Sequence, residues 1–313
     1  MAKPLKILDG GMSRELTRLG ARLVQPEWSA LALMESPEIV RKVHEEFIDA
    51  GADAITTNSY ALVPFHIGEE RFETQGASLI ALSGRLAREA ADACTSRKIL
   101  VSGCLPPIFG SYEPVNFDPA TVQDYLSVLV DNLAPNIDVW LGETLSLIAE
   151  AEAIRSAIAA TGKPLWISFT LKDEPDALSS TPQLRSGETV ADAARWAAEH
   201  GIEALLFNCS RPEVMQAAIA EAARIFNQAG VKTEIGVYAN AFEDETASEK
   251  ANEGLSGMRA ELEGEGYLRF ARAWVAAGAT IVGGCCGIGA DQIGRLAKEL
   301  KSAVSVSYTH LTL

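Results

Sequence analysis

The chain has no apolar run near the roughly 20 residues that a bilayer-spanning helix requires. Its opening, residues 1–11, lacks the pattern of an export signal, so a cytoplasmic protein with no membrane partner is expected. Positive charge is also short, with 27 Lys and Arg against 42 Asp and Glu and a formal net charge of −15. A surface of that sign does not neutralise phosphates, which sets nucleic acid aside and leaves small molecules as the expected partners. Histidine is scarce: His44, His66, His200 and His310 fall in helical, loop or tail stretches without ligand spacing, so core or surface roles suit them. The five cysteines are an odd number without an export signal, which favours metal or redox chemistry over a disulfide framework. No Gly-rich dinucleotide fingerprint, internal repeat or low-complexity tract is present.

What remains is a regular alternation. Short β-rich runs stand at 5–8, 54–57, 99–102, 138–141, 165–170, 204–207, 234–238 and 280–282. Helical patterns follow near 37–50, 76–96, 119–134, 146–161, 189–200, 213–229, 267–277 and 290–302. Eight apolar strands, each followed by a helix, predict a single-domain (β/α)8 TIM-type barrel over residues 1–301. An open doubly wound sheet is the structural competitor. Residues 239–266 form an acidic insertion too long for an ordinary strand-to-helix connection, and they read as a lid or wall on the mouth of the barrel. Residues 302–313 lose the helical character and read as a tail, disordered or foreign to the domain.

Three cysteines stand where strand runs break into loops. Cys209 ends Leu205-Leu206-Phe207-Asn208-Cys209, while Cys285 and Cys286 sit within Gly283-Gly284-Cys285-Cys286-Gly287. Taken alone, Cys209 reads as a small buried hydrophobe. The vicinal pair changes that reading, because flanking glycines let neighbouring Cβ atoms converge on one ion. Strands six and eight are near enough in a barrel for Cys209 to join them across the mouth. Thiolates select zinc, and a catalytic zinc keeps three protein ligands and one open position. Packing and a vicinal disulfide are the alternatives. Cys94 and Cys104 are left as spares.

Asp9-Gly10-Gly11 at the first strand end, Asn208-Cys209 at the sixth and Gly283-Gly284-Cys285-Cys286-Gly287 at the eighth together resemble the zinc-dependent homocysteine S-methyltransferase family over roughly residues 5–300. The resemblance implies a barrel that moves a methyl group from a donor to homocysteine, giving methionine. It implies that Cys209, Cys285 and Cys286 hold Zn2+ and that the homocysteine sulfur takes the fourth place. A bound cation lowers a thiol pKa until the nucleophilic thiolate predominates. Three cysteine thiolates already overcompensate Zn2+, so a fourth stays electron-rich enough to attack a methyl group.

The amino acid needs anchors. Asp9 and Glu143, read at the ends of strands one and four, would face the mouth, where a carboxylate suits a substrate ammonium group. Capping of the next helix is the other reading of Glu143. In the family, matching acids bind the homocysteine amino group, and Gly10 and Gly11 accompany Asp9 at the substrate. A methyl donor of sulfonium or quaternary ammonium type prefers aromatic faces, for which Trp28 and Tyr60 are candidates beside a packing role. The Trp28-Ser29-Ala30 context resembles the S-methylmethionine-using branch more than the betaine-using one, and Tyr60 resembles a tyrosine that touches zinc in some relatives. That branch tends to carry a Pro-Asn-Ser-Gly-like turn after strand seven, where this chain has Tyr238-Ala239-Asn240-Ala241-Phe242. Asn208 and Asn240 are expected to orient ligands, or to be turn residues.

The leading expectation is therefore zinc-dependent methyl transfer from S-methylmethionine or S-adenosylmethionine to homocysteine. Betaine as donor, or selenocysteine or another thiol as acceptor, comes next. A cobalamin-dependent methionine synthase would need folate, cobalamin and activation domains for which 313 residues leave no room. From another class, a non-catalytic zinc-binding or redox-sensing barrel would also use vicinal cysteines, but it would need no amino-acid anchors. Monomer and homo-oligomer are both open.

Overall fold

Apolar segments of five to seven residues that are buried on both faces can only be strands of a closed or covered sheet. In the computed structural model, which describes residues 4–242 and 259–309, five such segments and three shorter ones of two or three residues form one parallel sheet. They are β1 (Lys6–Ile7), β2 (Ala54–Thr56), β3 (Leu100–Leu105), β4 (Val139–Leu145), β5 (Leu165–Phe169), β6 (Ala204–Asn208), β7 (Glu234–Tyr238) and β8 (Ile281–Val282). Each pairs with its neighbours in the order β1-β8-β7-β6-β5-β4-β3-β2. A parallel bridge from Leu8 to Ala54, with Asp9 N donating to Ala54 O at 3.1 Å, closes the ring. The fold is the expected (β/α)8 barrel.

Two apolar cores follow from the two-residue period of a strand. Inward-facing Leu8, Ala54, Val139, Leu141, Trp166, Ala204, Leu206 and Ile281 fill the barrel. Outward-facing Ile7, Ile55, Trp140, Ile167, Leu205, Phe207 and Val237 pack under the helices. The same period continues past the apolar layers. Counting on from Val139 and Leu141 puts Glu143 inside, and counting on from Ala204 and Leu206 puts Asn208 inside.

Helix limits obey local chemistry. The helix Pro37–Ala50 starts on a proline and stops at Gly51, whose φ of 112° favours glycine. Pro212–Ala229 repeats the pattern with Gly230, and Val190–Glu199 opens on a Thr189–Asp192 capping box. Among the described residues, no helix is long and apolar enough to cross a membrane.

Three boundaries differ from the sequence reading. β3 and β4 run three and four residues beyond 102 and 141, to Leu105 and Leu145. The glycine and polar residues that seemed to end them stay in the ladder: Glu143 faces the inside of the barrel, while Gly103 and Gly142 face outward, where a Cβ would press on Ile137 and on Ile167. Two short helices, Met12–Arg18 and Ser29–Glu35, occupy the long β1–β2 connection. The last helix runs Ala290–Thr309, past the expected stop at Ser302, so backbone expected to be a tail is helical. Most of the acidic insertion expected as a lid, residues 243–258, lies outside the described residues, as do His310 and the last three positions.

Candidate active site

Parallel barrels expose functional side chains where strands end in their following loops. Here one cleft at that end is lined by Asp9, Gly10, Gly11, Trp28, Tyr60, Glu143, Cys209, Cys285 and Cys286. Nine of the sequence-selected residues thus line one cleft. Asn208 and Asn240 do not line it.

The backbone of the loops explains the glycines. Gly11 N donates to Ile288 O at 2.8 Å and Gly284 N to Asp9 O at 3.1 Å, so the loops after β1 and β8 lie main chain against main chain. A Cβ on Gly10 would come within 2.2 Å of Ile288 O, and one on Gly11 within 2.6 Å of Cys285 O. No side chain fits there. This close approach sets the Asp9 turn directly against the vicinal cysteines.

Three sulfurs converge on the cleft. Cys209 Sγ lies 3.2 Å from Cys285 Sγ and 3.8 Å from Cys286 Sγ, with Cys285 and Cys286 4.0 Å apart. All three are free thiols. Tetrahedral coordination at a Zn–S length of about 2.3 Å places sulfurs about 3.8 Å from one another, so the observed triangle brackets that spacing. The donor set fits a thiophilic ion. Hydrogen bonds from Cys285 and Cys286, then one from Tyr112, hold the Cys209 thiol pKa well below its usual range against the effect of burial. The same contacts, with burial, push the Cys285 and Cys286 thiols up.

Tyr112 was not found from sequence. Its hydroxyl donates to Cys209 Sγ at 2.9 Å, while the Arg185 guanidinium lies 4.9 Å from its ring centroid. Tyr60, expected to approach the metal, instead bonds Ser111 Oγ at 2.6 Å. The signal was available in Gly110-Ser111-Tyr112, a loop that follows a strand on the mouth side, but the early stop assigned to β3 disguised it.

Glu143 sits at a bulge in β4, where the register with β5 shifts between Gly142 and Leu145. Thr144 there has φ 60°, a left-handed conformation for a β-branched residue. Fully buried Asn208 staples this bulge: its Oδ1 accepts from Thr144 N at 3.2 Å and its Nδ2 donates to Thr144 Oγ1 at 2.8 Å. The same amide lies 3.9 Å from Cys285 Sγ. Asn208 therefore joins the Glu143 bulge to the thiol cluster from behind the wall. Asn240 makes a backbone bond to Ser210 O at 3.1 Å outside the lining. Capping of the helix Ile148–Ala157 falls to Glu150, which accepts from Ser146 N and Leu147 N, so Glu143 has no capping role.

Neither anchor carboxylate has a cationic partner among the described residues. Asp9 Oδ2 accepts from Thr56 N at 2.7 Å, and Glu143 Oε2 accepts from the Cys104 thiol at 3.1 Å. Cys104, set aside as a spare, thus touches the anchor. Burial pushes the Asp9 pKa up to about 8, with the Glu143 charge adding to it, and burial pushes Glu143 up to about 7. Across the cleft, Trp28 and Tyr60 meet edge to face at 6.1 Å, with His66 behind them at 6.4 Å from each.

The chain matches the family model for homocysteine S-methyltransferase over residues 6–300. It is similar to homocysteine S-methyltransferase YbgG of Bacillus subtilis (strain 168), with 30% identity covering 96% of this chain and 95% of that protein. It is also similar to a selenocysteine Se-methyltransferase of Brassica oleracea var. italica, at 26% identity over 96% of this chain and 90% of that one. Among solved structures, the metallated form of the homocysteine methyltransferase MmuM from Escherichia coli superposes with a TM-score of 0.77 and 27% identity, covering 95% of this chain and 96% of that one. With a family match spanning nearly the whole barrel and a full-length relative at 30% identity, the chain belongs to the homocysteine S-methyltransferase family.

Proposed function

We propose that this cleft transfers a methyl group from a sulfonium donor, S-methylmethionine or S-adenosylmethionine, to the sulfur of homocysteine, giving methionine. The observation that carries the reading is the triangle of three thiols beside buried Asp9 and half-buried Glu143, neither of which has a cationic partner among the described residues. Cys209, Cys285 and Cys286 would hold Zn2+, which when bound supplies a cation that acidifies a substrate thiol at its open position.

The remaining work falls to the protein's own groups. Asp9 and Glu143 take the substrate ammonium, whose positive charge replaces the protons that burial favours on them. Trp28 and Tyr60 line the cleft with aromatic surface suited to a methyl-bearing cation. Asn208 keeps Glu143 and Cys285 at fixed separation. In the transfer itself, the donor's S–CH3 bond breaks with its electrons remaining on the leaving thioether. A new S–CH3 bond forms on homocysteine, whose thiol proton has gone to solvent. A selenol acceptor is the second reading, supported by the softness of the thiol cluster and by the similarity to selenocysteine Se-methyltransferase.

The test is a donor panel with homocysteine and zinc, read as methionine formed. S-Methylmethionine or S-adenosylmethionine should outpace betaine. Faster turnover with betaine would overturn the donor assignment, and no methionine from any donor would overturn the acceptor.

A further inference from the structure

A buried cysteine in a strand is usually a packing residue, yet Cys104 stands where the apolar interior of the barrel gives way to the polar groups of the mouth. Its ladder partner is inward-facing Leu141, two positions before Glu143, and its side chain is fully buried. The thiol donates to Glu143 Oε2 at 3.1 Å. Burial, and then the Glu143 charge, push the thiol pKa well above its usual range, so the group keeps its proton and remains a donor.

The backbone of Cys104 is fixed by the segment that follows β2: Cys104 N donates to Thr57 Oγ1 at 3.0 Å, and Ser59 Oγ donates to Cys104 O at 2.9 Å. One residue earlier, Thr56 N donates to Asp9 Oδ2 at 2.7 Å. The end of β2 thus holds one anchor directly and the other through Cys104. A separate observation points to a ligand at the same cleft: Tyr238, in the lining and 4% exposed, has a hydroxyl with no hydrogen-bond partner among the described residues. A buried hydroxyl left unpaired is costly, and a hydrogen-bonding ligand removes that cost.

We propose that Cys104 is a positioning residue for substrate recognition, its thiol holding the Glu143 carboxylate in the orientation that receives the substrate ammonium. The inference rests on the methyl-transfer reading above, in which Glu143 is an ammonium anchor. A glutamate side chain that is free to rotate loses conformational freedom when it binds a ligand, and one already tied at an oxygen loses less.

Homocysteine binding to the zinc-loaded enzyme would be measured by calorimetry, beside kcat and KM for both substrates, in Cys104→Ala, Cys104→Ser, Glu143→Gln and the double variant of Cys104→Ala with Glu143→Gln. Cys104→Ala should weaken homocysteine binding and raise its KM roughly two- to tenfold, the range for one net hydrogen bond, with kcat, the donor KM and zinc content little changed. Cys104→Ser, which keeps a donor, should recover most of the loss. Because the effect runs through Glu143, the double variant should bind homocysteine no more weakly than Glu143→Gln alone. Where Cys104→Ala does not fold, Cys104→Val keeps the volume without the donor and carries the same comparison. Additive losses in the double variant, a serine variant no better than alanine, or unchanged binding in Cys104→Ala would each overturn the assignment and leave Cys104 as core packing. Unchanged binding in Glu143→Gln would instead overturn the ammonium reading of Glu143 itself.

Discussion

At the lower end of the barrel, where the strands begin, Glu234 meets Lys6 at 2.8 Å, Asp53 meets Lys301 at 2.7 Å and Asp138 meets Arg88 at 2.7 Å. At the mouth, Asp9 and Glu143 accept from a backbone amide and a thiol, with no ion pair among the described residues. The titration behaviour follows. Burial raises the Asp138 pKa, but the Val101 amide and the Arg88 guanidinium outweigh it and hold the group below the usual carboxylate range. At the mouth burial prevails. Backbone strain divides the same way: the non-glycine residues with left-handed φ, Trp28, Tyr112, Thr144 and Cys209, all line the cleft. One end pairs its carboxylates with cations of the chain, and the other, among the described residues, does not.

The largest expected effect breaks the mouth at its thiol cluster. Cys209→Ser should lower activity by more than the ten- to hundredfold typical of losing a group behind a metal ligand, and metal analysis should find well under one zinc per chain. Full zinc occupancy in that variant would remove Cys209 from the ligand set.

Asp9→Asn sharpens the contrast, since it should harm function and help the fold. The KM for homocysteine should rise roughly ten- to a hundredfold with the loss of a charge-assisted contact. Because the folded-state pKa of about 8 exceeds the ordinary 3.8, the wild-type carboxyl favours folding most at low pH. That contribution is lost progressively as pH rises from about 4 to about 8. The Asn variant should therefore gain in melting temperature relative to wild type across that window. By the same titration, wild-type affinity for homocysteine should increase between pH 6 and 8, and a flat profile would show that the anchors are already ionised.

Trp28→Ala should depress the donor-dependent rate a few-fold to about thirtyfold, the range of a cation–π contact of ~0.5–2 kcal/mol. Homocysteine affinity should change less. An equal loss in both would make Trp28 a packing residue.

Glu234→Gln tests the other end. It leaves Lys6 without its buried partner and should cost about 1–3 kcal/mol in denaturant titration, with both KM values unchanged. Altered kinetics would show that the two ends are coupled rather than separate.

Much of this division was legible in sequence. The strand count, the helix starts at Pro37 and the stop at Gly51 follow from apolar periodicity and from what proline and glycine do locally. The cysteine triad was legible because a vicinal pair among glycines is rare and chemically specific. Tyr112 and Cys104 were not, since a loop tyrosine and a strand cysteine look the same in sequence whether or not they face the site. Tyr60 was read as resembling a tyrosine that touches zinc in some relatives; its hydroxyl bonds Ser111, and the hydroxyl on Cys209 is that of Tyr112, because loop contacts depend on where the following strand returns. The ends of β3 and β4 were missed for a related reason: polar residues read as breaks until the barrel encloses them.

The sequence by itself determined the alternation of eight strands and helices, the acidic balance and the residue types able to bind a soft metal and an ammonium group. These depend on local period and side-chain chemistry, which travel with the chain. Only the tertiary structure decided that Cys209 meets Cys285 across 76 positions at 3.2 Å, and that Asn208 ties the Glu143 bulge to the same cluster. It also decided that Asp9 and Glu143 have no ion-pair partner among the described residues while Glu234 and Asp138 do. Distances and dielectric surroundings arise from ring closure, which brings strands together irrespective of their separation along the chain.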